Sequence, residues 1–496
     1  MYMTITDQIN AAIEAGARTA MTLPEILTEE IERFKASPEY AQMAEAENYY
    51  RNRSDVQRKE ISYANRSNVK MEHPLLRKIT TQKVSYAMAK PFSVETDEGG
   101  DQYAKCLEEL FDHSFRQQIK GLVKNTIKSG IGYMAPYFGD DGKLHWMRLP
   151  STEVIPLWLD AEHTRLGGYI RFYIQTVYEG KKPKEIQRVE YWDTEGVTYY
   201  RDNGKNTRLV PDYDWDPEGQ SNKRSHFSMT HPGGKTEGYN WTEIPLVWLK
   251  YNDEELPLQY FIKDLIDDYN WQKSATADVL RDVAKFVWVL RGYNGQDLGE
   301  FMRQLRDALA INVANDGGVD KIEPTVDVAS VLSFLDTNRR DLFDLAAAVD
   351  TKDPDLGNAS GTAINFRYMD LDAECNDIAA ELQTTFEHIK VFVDFYLQIT
   401  GRGDYHEQTF SIKLNMDMPV NETDIINNAK ASTGMISEQT ILANHPWVKD
   451  VVTEQEQMAA EKQKAMEDYG AGLFDNLMST GAETDGQGGD GDGEQT

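Results

Sequence analysis

The sequence predicts an α+β protein in which a mixed N-terminal region is followed by long helices. Two observations support this class. Between residues 130 and 251, short segments rich in Tyr, Trp, Ile and Val alternate with Gly, Asp and Lys turns, a pattern typical of strands. Between residues 256 and 400, apolar residues recur three and four positions apart, as they do on the buried face of a helix. With 496 residues, of which 40 % are hydrophobic, the chain can form several packed cores.

Three helices are predicted before the strands begin. The first covers residues 24–34, where Pro24 stands in the first turn and acidic residues follow it. The second covers residues 75–88 and ends before Pro91, since the residue preceding a proline resists helical angles. The third is expected to run unbroken from residue 103 to residue 128, because its apolar residues keep helical spacing throughout.

The strand-rich region begins at Ile131. Strands are predicted over residues 131–138, 144–148, 169–178, 187–192, 197–201 and 244–251. Asp140-Asp141-Gly142 predicts a hairpin turn between the first two strands. Residues 212–240 are rich in Gly, Pro, Ser and Asp, and they are predicted to form a loop.

The C-terminal half contains three predicted long helices. The apolar face of the first consists of Leu258, Phe261, Ile262, Leu265, Ile266 and Tyr269. The stripe of the second consists of Val328, Leu335, Leu342 and Val349. The third covers residues 362–400, and its ladder consists of Leu371, Cys375, Ile378, Leu382, Thr385, Ile389, Val393 and Tyr396. At ~1.5 Å per residue the third helix is about 57 Å long, so it must pack on protein, its own or a neighbour's.

Two connections separate these helices. Between the first and second, the sequence predicts a strand (285–293), a helix (296–308) and a second strand (310–315) that ends in the turn Asp316-Gly317-Gly318. Between the second and third lies a loop over residues 350–361, with two glycines, a proline and an asparagine. Such a loop between stiff helices is either a tight connection or a moving part.

The chain is strongly acidic, with 82 Asp and Glu residues against 52 Lys and Arg residues and a net charge of −30. Proteins that read a DNA sequence use Lys and Arg to neutralise phosphates, so this composition argues against that class. It is compatible with a protein that surrounds DNA without gripping it. Strong acidity also serves simply to keep a protein soluble.

The sequence lacks the motifs of common catalytic and metal sites. The phosphate loop Gly-x-x-x-x-Gly-Lys-Ser/Thr, the Gly-x-Ser-x-Gly elbow and His-Glu-x-x-His are absent, so no catalytic residue, metal ligand or cofactor is predicted. The acids Asp264, Asp267 and Asp268 are interpreted as the solvated face of one helix. Cys106 and Cys375 lie on apolar stripes, which predicts free thiols in a reducing compartment.

Apolar runs in the sequence stay short of the roughly 20 residues that a membrane helix needs. The first residues also lack the basic start and apolar core of a signal peptide. The protein is therefore expected to be made and kept in a cytoplasm, without a membrane.

Eight short segments, taken in their order along the chain, carry a resemblance to a known family. They are Lys83-Val-Ser-Tyr-Ala-Met-Ala-Lys-Pro91, Gly130-Ile-Gly-Tyr133, Val154-Ile-Pro-Leu157, Ile244-Pro-Leu-Val-Trp-Leu-Lys-Tyr-Asn252, Lys263-Asp-Leu-Ile-Asp-Asp-Tyr-Asn270, Asp316-Gly-Gly-Val-Asp320, Ser360-Gly-Thr-Ala363 and Ile436-Ser-Glu-Gln-Thr440. Each is short, but their shared order over hundreds of residues resembles the portal proteins of tailed bacteriophages, of the long-tailed type that infects Gram-positive hosts.

The resemblance implies a ring, usually a dodecamer, at one vertex of the capsid. Double-stranded DNA would pass through this homo-oligomer during packaging and ejection, without contacts specific for base sequence. The implied partners are the terminase large subunit, the head-to-tail adaptor protein, and the major capsid and scaffolding proteins. The protein would belong to the virion, after assembly in the cytoplasm of a bacterial host, and would be neither an enzyme nor a cofactor carrier.

The resemblance also implies a portal fold, with an α+β wing, long stem helices, a small α/β clip insert, a tunnel loop and a helical crown. Carried onto this sequence, the regions are the wing (1–255), a stem helix (256–278), the clip (279–325), a second stem helix (326–349), the tunnel loop (350–361), a long helix and return strand of the wing (362–418), the crown (419–472) and an acidic tail expected to be disordered (473–496).

Two groups of residues are candidate sites. In the tunnel loop, Lys352, Asn358 and Ser360 are expected to contact the phosphate backbone; the alternative is an ordinary surface turn between two helices. In the clip, strands containing Val287, Trp288 and Ile311 are expected to pair with a neighbouring clip or a docked partner, because apolar edge strands invite pairing. The alternative there is a small sheet closed within one subunit.

Two other classes of function remain open at this stage. One is a monomeric acidic scaffold or adaptor of virion assembly, which would bind proteins and enclose no DNA. The other is a morphogenesis enzyme whose site is not recognisable, because catalytic groups far apart in sequence leave no motif.

Overall fold

The computed structural model describes most of the first 416 residues and part of the remainder. The described residues are 22–60, 67–97, 100–179, 182–204, 208–216, 218–230, 234–282, 287–291, 299, 318–322, 327–353, 361–416, 426, 429–443, 445, 447–448, 451, 454–455 and 457–464. The chain divides into two compact units. The first contains residues 1–352 and 367–417, and the second contains residues 353–366 and 418–496.

The helices and strands confirm an α+β fold. The helices are α1 (Leu23–Lys35), α2 (Pro38–Tyr50), α3 (Leu75–Ala87), α4 (Asp101–Leu110), α5 (His113–Ser129), α6 (Leu258–Asp282), α7 (Val328–Leu345), α8 (Gly361–Ile399) and α9 (Glu438–Ala443). The strands are β1 (Ser93–Thr96), β2 (Ile131–Phe138), β3 (Leu144–Leu149), β4 (Val154–Trp158), β5 (Leu166–Glu179), β6 (Lys182–Asp193), β7 (Gly196–Asp202), β8 (Leu209–Pro211), β9 (Lys223–Arg224), β10 (Phe227–Thr230), β11 (Thr236–Tyr239), β12 (Val247–Lys250), β13 (Val287–Arg291), β14 (Gly318–Ile322) and β15 (Phe410–Lys413).

Side-chain caps determine where the first two helices start. The backbone N–H and the hydroxyl of Thr22 both donate to the Glu25 carboxylate over 2.9 Å, which forms a capping box at α1. The hydroxyl of Ser37 accepts the N–H of Tyr40 at the start of α2. The helix predicted over 24–34 is therefore confirmed.

The unbroken helix predicted over 103–128 is wrong. The chain forms α4 and α5, and Asp112 between them accepts the N–H of Phe115 over 2.8 Å as the cap of α5. The break leaves no trace in the apolar pattern because residues on both sides pack on α8. Phe111 at the break and Phe115 in α5 both contact Phe386 edge to face, at ring-centroid distances of 5.4 and 5.9 Å.

Two antiparallel sheets form the centre of the N-terminal part. One has the strand order β12-β2-β3, and the other has the order β4-β5-β6-β7-β8 with β9 also paired to β7. The turn predicted at Asp140-Asp141-Gly142 joins β2 to β3. The sequence missed β4. The loop predicted over 212–240 is partly wrong, since β9, β10 and β11 lie in it and β10 pairs with β11.

Two clusters of buried side chains hold these sheets. In the first, Leu27 and Ile31 of α1 pack on Ile170 of β5 and Val189 of β6. The second joins all three strands of the β12-β2-β3 sheet to β4 and β5, with members that include Ile131, Tyr133, Leu149, Val154, Tyr169 and Trp248. The segments rich in Tyr, Trp, Ile and Val that predicted strands thus supply the buried side chains of these sheets.

The long C-terminal helix α8 has 39 residues and agrees with the prediction. All eight residues of its predicted ladder are buried, from Leu371 to Tyr396. The predicted face of α6 is correct except at Phe261, which is 51 % exposed. The stripe predicted for α7 is wrong at Val349, because the helix ends at Leu345.

In the second unit, α9 is capped by Ser437, whose hydroxyl accepts the N–H of Thr440 over 3.2 Å. Residues 457–464 are helical. The tail predicted over 473–496 lies outside the described residues.

Both cysteines, Cys106 and Cys375, are buried and free, as the sequence predicted. Burial raises the pKa of Cys375 to about 12, so its thiol stays protonated near neutral pH. Within the residues described, none of the helices is long and apolar enough to cross a membrane.

Candidate DNA-contact loop and partner-docking sheet

The loop predicted over 350–361 follows a sharp end to α7. Ala347 adopts the left-handed backbone conformation, with φ of +44°, which costs an L-residue roughly 1–2 kcal/mol. The N–H groups of Ala347 and Ala348 donate to the carbonyls of Asp344 and Phe343 over 2.9 Å each. These bonds satisfy the last carbonyls of the helix and turn the chain away from its axis.

Two neighbouring side chains of α3 hold this turn. The Gln82 amide donates to the Val349 carbonyl over 2.9 Å and accepts the Val349 N–H over 3.1 Å, so it pairs with the backbone as a strand would. The Lys83 ammonium donates to the Ala347 carbonyl over 3.1 Å. The conformational cost at Ala347 is therefore offset by contacts from outside α7.

Lys83 also connects the turn to the long helix. Its side chain is fully buried, and its ammonium lies 2.5 Å from the carboxylate of Glu374 in α8. The hydroxyl of Tyr251, just after β12, donates to the other oxygen of the same carboxylate. Burial lowers the pKa of Lys83, and the charge of Glu374 opposes that shift. The ion pair between Lys83 and Glu374 thus joins four segments of the chain: α3, the turn after α7, α8 and the residue that follows β12.

The first loop residue, Asp350, is fixed by a second ion pair. Arg339 of α7 donates to both its carboxylate oxygens, over 2.5 and 2.8 Å, and Lys78 of α3 lies 3.6 Å away. Burial alone would raise the pKa of Asp350, but the hydrogen bonds and charges of its partners lower it below its usual value. The loop therefore starts from a rigid base.

Lys352 lies at the exposed start of the loop, and its backbone N–H donates to the Asp350 carboxylate over 3.0 Å. Asn358 and Ser360 lie outside the described residues. The contact of Lys352, Asn358 and Ser360 with DNA phosphate thus stays a prediction. The sequence did not predict the side chains that hold the start of this loop, which we call the anchor: residues 78, 82, 83, 339 and 374. A buried lysine leaves no signal in a single sequence.

The sheet predicted to dock a partner is partly described. β13 pairs antiparallel with β14, with Val287 opposite Ile322 and Trp288 opposite Lys321. The strand predicted at 310–315 lies outside the described residues, and so does the turn predicted at 316–318 except for Gly318, where β14 begins. Ile311 lies outside the described residues. One edge of β13 is paired within the subunit, and pairing of Val287 and Trp288 with a partner stays a prediction.

Helix α6 is bound to the N-terminal part by a stripe of small polar residues four positions apart. They accept backbone N–H groups of the extended segment 69–73, which runs antiparallel to the helix. The three bonds are Asp278 to Val69 (2.6 Å), Ser274 to Met71 (2.9 Å) and Asn270 to His73 (3.1 Å). The spacing of four between these polar residues is visible in the sequence and could have predicted a polar contact face on α6.

The interpretation of three acids of α6 as a solvated face is wrong for two of them. Asp267 accepts the Tyr49 hydroxyl over 2.5 Å, and Asp268 accepts the Asn338 amide of α7 over 2.8 Å. Asp264 is exposed. Across the described ranges, the His, Cys, Asp and Glu side chains do not gather in groups of three that could hold a metal ion.

The pair formed by α6 and α7 leaves large apolar side chains about half exposed. On α6 these are Tyr260, Phe261, Trp271 and Leu280, and on α7 they are Leu332, Phe334 and Leu345. Single exposed apolar residues are common, and these seven on two packed helices are candidates for contact with another protein chain.

The fold places this chain among α+β proteins with long packed helices, and comparison with known proteins supplies the family. The chain belongs to the phage portal proteins: the family model described as "Phage portal protein, SPP1 Gp6-like" matches residues 35–468. The portal protein of Bacillus phage SPP1 is 27 % identical over 461 residues, which cover 90 % of this chain and 86 % of that one. The portal protein of Clostridium phage phiCD119 is 22 % identical over 447 residues, covering 85 % and 93 %.

Membership of this family confirms the resemblance found in the sequence and the α+β portal fold. The chain functions as a phage portal protein and is a structural component of the virion.

Proposed function

We propose that copies of this chain close into a ring, with a dodecamer as the expected form, at one vertex of the capsid. Double-stranded DNA passes through the central channel during packaging and ejection. The role is structural, without a catalytic step. In this proposal the regions keep the division given by the sequence: wing 1–255, stem helices 256–278 and 326–349, clip 279–325, tunnel loop 350–361, wing helix and strand 362–418, crown 419–472 and tail 473–496.

The observation that carries the proposal is the apolar surface of α6 and α7. Burying the exposed parts of its seven large side chains against neighbouring copies would contribute on the order of 5 kcal/mol per subunit. In a closed ring each subunit has two neighbours, so both outer faces of the helix pair become covered.

The net charge of −30 suits a channel through which DNA must slide. A ring repeats each residue at one level, so one lysine of the loop, Lys352, becomes a layer of cations. DNA carries one charge per ~1.7 Å, and many such layers would hold it in place. A single layer of lysines, on a loop whose start is fixed by ion pairs, offers DNA weak contacts that do not depend on its nucleotide sequence.

The clip is proposed to dock the terminase large subunit and then the head-to-tail adaptor protein, with the major capsid and scaffolding proteins as further partners. Assembly takes place in the cytoplasm of the bacterial host. The support is the family, together with a small sheet between the stem helices whose β13 has apolar residues.

Size-exclusion chromatography with light scattering tests the ring. A ring gives a mass near a dozen times the 56.5 kDa subunit. A mass near that of one subunit would instead support the monomeric scaffold or adaptor.

A further inference from the structure

Strands β5 and β6 extend beyond the sheet that contains them. β4 pairs with β5 only as far as Arg171, and β7 pairs with β6 only from Arg188. Past these points, Ile174–Glu179 and Lys182–Gln187 pair with each other, and no third strand of the described chain joins them. We call these residues the arm. A two-stranded ribbon is marginally stable in water, so the arm needs a surface to lie on.

The arm carries its own contact residues. Ile174 and Tyr178 lie on one face, four residues apart, and are 66 % and 74 % exposed. Around the turn of the arm the sequence has three lysines, at 181, 182 and 184, and two glutamates, at 179 and 185, so this end of the arm has a net charge of +1 in a chain with a net charge of −30. Two exposed apolar anchors beside a tip of small positive charge fit an acidic, apolar pocket.

The same unit contains such a pocket, a cavity of about 920 Å³ that we call the acidic groove. Its lining combines aromatic rings and carboxylates, chiefly Phe34, Trp158, Trp248, Glu30, Glu254 and Glu381. In all, seven lining residues are acidic and two are basic. This volume lies near the upper end of ligand pockets, so it can admit several side chains.

The basic residues of the acidic groove are already engaged. Arg33 lies 2.6 Å from Glu30, and Lys250 lies 3.7 Å from Glu255. Burial raises the pKa of Glu381 and of Glu30 above their usual value, and the charges of Lys250 and Arg33, respectively, oppose that rise without cancelling it. An incoming ammonium group would be attracted by these carboxylates.

We propose that the arm of one subunit docks in the acidic groove of a neighbouring copy in the ring. The occupant is a second copy because the arm cannot serve its own subunit. The groove is walled by β4, and the arm continues the line of β5, the strand paired with β4. Six further residues at ~3.3 Å each carry the arm about 20 Å beyond that sheet. This inference rests on the proposed ring.

Cross-linking between two substituted cysteines tests the contact directly. In the chain with Tyr178→Cys and Glu254→Cys, a short bismaleimide is expected to join neighbouring subunits, giving a ladder on a denaturing gel. Each single variant should give no ladder, since both native cysteines are buried. Rings that form normally, as light scattering reports, but do not cross-link would overturn the arm proposal and leave the ring intact. A wild-type chain that stays monomeric would overturn both.

A charge-reversal variant gives a second test of the contact in case the chain with both cysteine substitutions does not assemble into rings. Lys182→Glu should raise the concentration at which half the chains are in rings by roughly threefold to tenfold. Adding Glu254→Lys should recover most of that loss. The matched control is Lys143→Glu, a reversal in another exposed hairpin turn. Equal assembly of the Lys182→Glu and Lys143→Glu chains would contradict the proposal.

Discussion

Replacing the buried lysine at the base of the loop by methionine is the sharpest test of how that base is held. The ammonium of Lys83 bonds to Glu374 over 2.5 Å and to the Ala347 carbonyl over 3.1 Å, and the side chain is fully buried. Lys83→Met leaves a carboxylate without its counter-charge and a carbonyl without its donor. Breaking a buried pair in this way typically costs about 3–5 kcal/mol.

Hydrogen–deuterium exchange of a peptide covering the end of α7 measures this loss. A decrease of about 3 kcal/mol in the free energy of local opening corresponds to exchange roughly 100-fold faster. Adding Glu374→Gln should recover part of it, because the unpaired charge is removed while Tyr251 keeps an acceptor.

The control is Lys78→Met. Lys78 is partly exposed and 3.6 Å from Asp350, so its loss should change the opening free energy by less than about 1 kcal/mol. Exchange in the Lys83→Met chain no faster than in the Lys78→Met chain would refute the idea that Lys83 anchors the loop.

Four further outcomes are expected. Because the folded state lowers the pKa of Asp350, its stabilising effect is present above the pKa of an unfolded Asp, about 4, and is lost as pH falls through the lower folded value. Asp350→Asn should therefore lower the thermal midpoint at pH 7 and have little effect near pH 2; an equal decrease at both pH values would contradict this assignment. Deletion of residues 351–358 should leave rings intact and impair packaging of DNA, and normal packaging would exclude the tunnel role. Trp288→Asp should reduce binding of terminase or adaptor more than it lowers the stability of the wing, and unchanged binding would count against the docking sheet. Truncation after Thr480 should leave ring formation unchanged, and a truncated chain that stays monomeric would show that the tail takes part in assembly.

Elements with a long, regular apolar period were predictable from the sequence. The ladder of α8 is buried at every predicted position, because burial of one helix face dictates the residue pattern directly. β2 also has its predicted bounds, because its first six residues are all buried and the apolar run between turn residues marks the strand. The family resemblance, which depends on the order of many short segments, is likewise confirmed.

Elements determined by contacts distant in sequence were not predictable. Ala346, Ala347 and Ala348 favour helix, yet α7 ends before them because Gln82 and Lys83 bind the backbone that follows. The break between α4 and α5 is hidden for a similar reason, since α8 contacts residues on both sides of it. A local pattern reports burial, but not which distant side chain supplies it.

The candidate sites were predictable only as regions. The sequence indicated a loop after the second long helix and strands between the first two, but it could not show that Asp350 is fixed by Arg339 or that β13 pairs with β14, because each depends on packing between distant segments. The acids Asp267 and Asp268 were misinterpreted for the same reason: their partners, Tyr49 and Asn338, are far away in sequence.

Electron cryomicroscopy of the purified full-length protein tests the central claim most directly. The predicted result is a closed ring around a hole wide enough for a double helix, with α6 and α7 at the contacts between subunits and residues 350–361 projecting into the hole. Single particles without symmetry, or a ring whose centre is filled by folded protein, would contradict it.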